Sequence, residues 1–157
     1  MKKAILTFTI LAAFASAATA QDITGYWKDG SVGSIGYQNQ VTGVTRSGRS
    51  HVFTYHFLAN GTYEFVGYME MNMYNCTNTL FNQINGKYTV DDSTIFLSPS
   101  RDFWRSTNSC SPSANKETTK APVKKTLGFE RRENEFGQQL LCLVDGETET
   151  CYRKEQK

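Results

Sequence analysis

The chain has 157 residues, 39% of them hydrophobic and 13% aromatic, with 17 basic and 15 acidic side chains. Two of the basic ones, Lys2 and Lys3, stand at the extreme N-terminus, so the remainder is balanced at 15 of each sign. That balance argues against nucleic acid or an anionic membrane surface as the main partner, and the length suits one domain with a proper core.

Residues 1–20 read as a secretory signal. Lys2 and Lys3 form its charged start, residues 4–15 its apolar run, and Ala18-Thr19-Ala20 a small-x-small cleavage site. The apolar run is too short to span a bilayer, so no membrane insertion is expected. The expected product is a single exported domain over residues 21–157, periplasmic or secreted.

The remainder alternates mostly with period two and carries frequent turns. A first strand is expected over residues 23–28, holding Gly25-Tyr26-Trp27. Residues 30–50 are rich in Gly, Ser, Gln and Asn, and read as a long mouth loop with a weak strand over 35–44. Residues 51–58 set Phe53, Tyr55 and Phe57 on one face. A three-residue Ala59-Asn60-Gly61 loop, with Gly61 left-handed, pairs Phe57 with Tyr63 and Tyr55 with Phe65. A two-residue turn would mismatch the apolar faces. Residues 62–74 form the clearest strand: Tyr63, Phe65, Gly67, Met69, Met71 and Met73 make an apolar face, with a largely polar face behind.

A second hairpin is expected from strands over 82–90 and 94–99, with an Asp91-Asp92 turn that pairs Tyr88 with Ile95 and Gly86 with Leu97. Further strands are expected over 101–105, 125–133, 138–144 and 149–154, with a solvated, lysine-bearing loop over 107–125. Eight or nine short strands with tight turns predict an all-β, antiparallel up-and-down barrel; a β-sandwich is the alternative.

All four cysteines follow the signal, as suits an oxidising compartment and two disulfides. A hairpin loop over residues 145–148 places Cys142 directly opposite Cys151, which leaves Cys76 for Cys110. The absence of Cys-x-x-Cys speaks against a zinc knuckle or a thioredoxin-like site.

The chain resembles the lipocalin-like barrels of exported bacterial proteins. The resemblance rests on residues 23–27 with their Gly-x-Trp, residues 57–65, the Gly86-Lys87-Tyr88-Thr89-Val90 segment and the closing Cys151-Tyr152-Arg153. It implies that Trp27 packs under a late basic residue, Arg153 by position, and closes the barrel floor. The Thr-Asp-Tyr element of true lipocalins is absent. Parity on the last hairpin also sets Arg153 on the cysteine face, opposite Leu141, Leu143 and Tyr152, so this closure requires the cysteine face to be interior.

Chemistry is sparsely signalled. The two histidines, His51 and His56, fall on opposite faces of one strand. Glu64 and Glu70 share a face but stand about 20 Å apart at the rise of a strand, beyond the reach of two-carboxylate chemistry. Neither Gly-x-Ser-x-Gly nor His-Glu-x-x-His occurs. Met69, Met71 and Met73 with His51 opposite Met69 would suit Cu(I), but an apolar wall is the simpler use of thioethers. The expected function is therefore non-enzymatic, without metal or cofactor. A small apolar ligand would lie in the barrel on Phe53, Tyr55, Tyr63, Phe65, Met69, Met71 and Tyr88. The alternative is a filled core whose surface meets an envelope or extracellular protein.

Overall fold

The computed structural model describes residues 22–31, 37–38, 45–46 and 50–155. The signal assigned to residues 1–20 and most of the 30–50 loop lie outside them. The strands are β1 (Gly25–Ser31), β2 (Tyr37–Gln38), β3 (Thr45–Arg46), β4 (Ser50–Phe57), β5 (Thr62–Met73) and β6 (Cys76–Asp91). After them come β7 (Thr94–Asn108), β8 (Lys116–Lys120), β9 (Lys125–Glu133), β10 (Gln139–Asp145) and β11 (Thr148–Glu155). A 3-10 turn, Pro112–Ala114, precedes β8. Among the described residues no helix is long and apolar enough to cross a membrane.

Eight strands close into an antiparallel barrel in the order β1, β11, β10, β9, β7, β6, β5, β4 and back to β1. β8 adds to the edge of β7, and β2 pairs with β3 in a separate two-stranded ladder. The barrel reading is thus the correct one, and a two-sheet sandwich is not.

The β4–β5 hairpin has the expected register, with Phe57 opposite Tyr63, Tyr55 opposite Phe65 and His51 opposite Met69. Gly61 supplies the left-handed residue at φ 78°, where a side chain would be strained. The β6–β7 hairpin differs from expectation by two residues. Tyr88 faces Leu97 and Gly86 faces Pro99, because the turn is Asp92-Ser93, with Asp92 itself at φ 51°. A shift of two keeps every side chain on its face, so the alternating pattern cannot tell the two registers apart.

β7 also runs further than expected, joining the strands over 94–99 and 101–105 into one. A β-bulge makes this possible. Gly86 pairs with Pro99 while Asn85 pairs with Arg101, and Ser100 is left over. The inward set on β7 therefore changes from Ile95, Leu97 and Pro99 to Asp102 and Trp104. Gly86 is required there: a Cβ would lie 2.4 Å from the Ser98 carbonyl oxygen and 2.5 Å from the Pro99 Cα.

Beyond the last β4–β5 pair, Ser50 with Glu70, the hairpin of β5 and β6 continues upward. β8 takes over the β7 edge at Asp102–Ser106, above the Thr94–Leu97 segment that β9 uses. The expected solvated loop over 107–125 thus contains an edge strand. The Cys76–Cys110 disulfide ties the top of this extension, and Cys142–Cys151 bridges directly opposed residues of β10 and β11.

Candidate lumenal binding site

Alternation along the barrel strands sends one set of side chains inward, and the two ends of the interior differ. The lower end is solid. Ile23, Trp27, Phe57, Ile95, Leu97, Leu127, Phe129 and Leu141 are buried in one cluster. Trp27 is fully buried and its Nε1–H donates to the Ile23 carbonyl at 2.6 Å, so the indole carries no unpaired donor into the core. Tyr88 packs edge-on against Phe57 at 4.9 Å between ring centroids, and its hydroxyl donates to the Leu58 carbonyl at 3.0 Å.

The closure expected of Arg153 is corrected here. Leu141, Leu143 and Tyr152 face inward, so Arg153 points outward and is exposed. The cation over the Trp27 ring is Lys154, its register partner, with Nζ 5.3 Å from the centroid. The arginine that ties the floor is Arg131, which the sequence reading did not single out. It donates to the Asp22 carbonyl at 2.9 Å and to Gln139 Oε1 at 3.0 Å.

Above this floor the interior is hollow. One chamber of about 350 Å³ is lined by Phe53, Tyr55, Tyr63, Phe65, Gly67 and Met69 on β4 and β5, by Leu80, Asn82, Ile84, Leu97, Pro99, Asp102 and Trp104 on β6 and β7, and by Val123 and Lys125. A second of about 450 Å³ shares Phe53, Tyr55, Phe65 and Lys125 with the first and reaches Asp29, Asp145, Thr148, Thr150 and Tyr152. Gly67 leaves the room for this: a Cβ there would come within 3.3 Å of both the Phe53 and Phe65 rings. Those two rings lie nearly parallel with centroids 6.3 Å apart, and Tyr55 stands 4.8 Å from Phe65 and edge-on to Tyr152 at 5.3 Å.

Of the residues expected to meet a ligand, Phe53, Tyr55, Tyr63, Phe65 and Met69 share the first chamber. Met71 stands higher, in a neighbouring recess with His51, Met69 and Leu80. Tyr88 packs against the floor cluster and lines neither chamber, its ring set edge-on to Phe57 and its hydroxyl bound to the Leu58 carbonyl. The sequence reading missed the polar half of the lining, on β1, β7, β10 and β11. Asp29, Asp102, Asp145, Thr148 and Thr150 read as ordinary polar positions on strands too short or too mixed to show a face.

The polar lining is unevenly satisfied. Asp102 accepts from Asn82 Nδ2 at 2.8 Å, and Asp145 pairs with Lys125 at 2.9 Å at the exposed rim. Asp29 makes no hydrogen bond or ion pair with any described residue. The hydroxyls of Tyr55, Tyr63 and Tyr152 are likewise without a hydrogen-bond partner among the described residues. Burial pushes Tyr63 up to about 12, helped by the Asp102 charge, and Tyr152 up to about 12, helped by Asp29. Tyr55 is raised further, first by burial. These phenols are neutral donors and acceptors at physiological pH.

The remaining signals resolve into structural roles. Glu64 accepts from Gln83 at 2.6 Å, and Glu70 from the Tyr68 hydroxyl at 2.6 Å, both on the outer face. His56 stacks on Tyr26 at 3.6 Å outside, whereas His51 lies inward beside Phe53 at 5.8 Å. Among the described residues, the group of metal-ligating side chains found close together is Cys142, Glu149 and Cys151, and its two sulfurs are bonded to each other. Comparison of the chain with protein-family models, curated proteins and solved structures found no match.

Proposed function

We propose that this is an exported, non-enzymatic binding protein that holds a small, mainly apolar ligand in the upper half of its barrel. One observation carries the reading: a cavity lined by Phe53, Tyr55, Phe65 and Met69 stands open above a solid floor. Its size is that of a small-molecule pocket, and its few polar groups are of the kind that orient a ligand. An eight-stranded barrel can fill itself with side chains, and this one is filled only below. The two disulfides suit an oxidising compartment. The closed barrel is compatible with the lipocalin-like resemblance, and we extend that resemblance to the mode of use, a ligand taken in through the open end.

Native mass spectrometry of the mature protein isolated under mild conditions tests this reading. A bound species of small mass, released on unfolding, is the expected result. Phe65→Glu sets a charge in the aromatic wall and is expected to abolish uptake while the barrel still melts cooperatively. A wild-type protein free of any bound species, and unable to take up an apolar dye, would sink the proposal.

A second reading has its own support. Met69, Met71, Met73 and Leu80 leave 42%, 40%, 53% and 37% of their surface exposed on one face of the β5–β6 extension. An adaptable apolar face of this kind suits a protein partner, and it would carry the function if no small molecule binds.

A further inference from the structure

The charge of the lumen narrows the class of ligand. Asp29 and Asp102 are half-buried in the chamber walls. The lumenal ammonium nearest in the lining, Lys125, is already committed to Asp145 at the rim. Asp102 is stabilised by Asn82. Asp29 makes no hydrogen bond or ion pair with a described residue, so its carboxylate is open to a cation entering the chamber.

The surroundings of Asp29 supply the rest. Its register partner across β1 and β4 is Phe53, so a carboxylate and an aromatic ring stand side by side on the inner face. Tyr152 lines the same chamber, is 92% buried by area (8% exposed), and its hydroxyl has no hydrogen-bond partner among the described residues. Thr150, one step up β11 on the same face, adds a hydroxyl. Three side-chain oxygens thus line one chamber with the Phe53, Tyr55 and Phe65 rings, which present the negative faces that attract a cation.

We infer that the ligand is a primary amine with an apolar body, its ammonium held by Asp29, Tyr152 and Thr150 and its body lying against Phe53, Tyr55 and Phe65. An ammonium has three N–H donors and no acceptor; the Asp29 carboxylate can only accept, and the Tyr152 and Thr150 hydroxyls can each turn a lone pair toward it. An anionic ligand would meet Asp29 and Asp102 and be repelled. The inference rests on the binder reading above and adds the ligand's charge to it.

The test uses three probes of one size: 1-naphthylmethylammonium, 1-naphthylmethanol and 1-naphthoate, titrated by calorimetry into the full mature protein. The ammonium is expected to bind at least about tenfold tighter than the alcohol, and the carboxylate weakest. Asp29→Asn should erase the preference for the ammonium over the alcohol while both still bind, with a cooperative thermal melt showing that the variant is folded. Equal binding of all three, a preference for the carboxylate, or an ammonium preference that survives Asp29→Asn would overturn the inference and leave the binder reading standing. Failure of all three to bind the folded protein would overturn both.

Discussion

The lower and upper halves of this barrel are built from the same strands and the same alternation, yet one is packed and the other hollow. The inward residues of β4 and β5 are largely aromatic: Phe57 below, Tyr63 at the boundary, and Phe53, Tyr55 and Phe65 above, with Gly67 and Met69 beyond them. What differs is the opposite wall. Below, these rings meet Trp27, Leu97, Leu127, Phe129 and Leu141, which fill the space. Above, they face Asp29, Thr148, Thr150 and Asp145, which are short and polar, with Gly67 subtracting one more side chain. A cavity thus arises where large residues face small ones, and the aromatic strands alone do not reveal which end is open.

The contrast predicts where substitutions cost stability and where they cost binding. The largest effect belongs to the floor. Trp27→Ala removes a fully buried indole and its hydrogen bond to Ile23, and is expected to destabilise the barrel by about 3–5 kcal/mol in chemical denaturation. A loss below about 1 kcal/mol would mean that the floor is not the packed half. Next come the disulfides. By loop length, replacing Cys76 and Cys110 with Ser should cost about 3–4 kcal/mol and replacing Cys142 and Cys151 about 2–3 kcal/mol, since the first closes 34 residues and the second 9. The reverse order would show that the upper extension retains order when its tether is cut. The smallest effect lies at the rim. The Lys125–Asp145 pair has both side chains more than half exposed, so Lys125→Ala should change stability by less than about 1 kcal/mol, measured against the wild-type melt.

Much of the floor and of the aromatic wall was legible in the sequence. The Phe57–Tyr63 register followed from matching apolar faces around Gly61, and the cysteine pairs from the last hairpin. What could not be read has physical causes. The β6–β7 register was displaced by two, a shift to which alternation is blind. The Ser100 bulge depends on how closely the Ser98–Pro99 backbone approaches Gly86, a tertiary fact. β8, with Lys116, Glu117, Thr118, Thr119 and Lys120, has no apolar face and so no periodic signal. Arg131 and Lys154, in the roles expected of one arginine, became identifiable only once inside and outside were assigned. The polar wall with Asp29 is the most consequential omission, because a lone aspartate on a mixed strand looks like any surface charge.

The central claim, that the upper half is a real binding cavity, is tested most directly by filling it. 1-Aminoanthracene, uncharged at neutral pH, can be titrated by its fluorescence into the wild type and into Gly67→Leu, with thermal melts recorded alongside. One saturable site is expected in the wild type, and loss of that site in Gly67→Leu, which should still melt cooperatively but at a lower temperature because its Cβ presses on the Phe53 and Phe65 rings. Undiminished dye uptake by a folded Gly67→Leu protein, or no saturable uptake by the wild type, would contradict it.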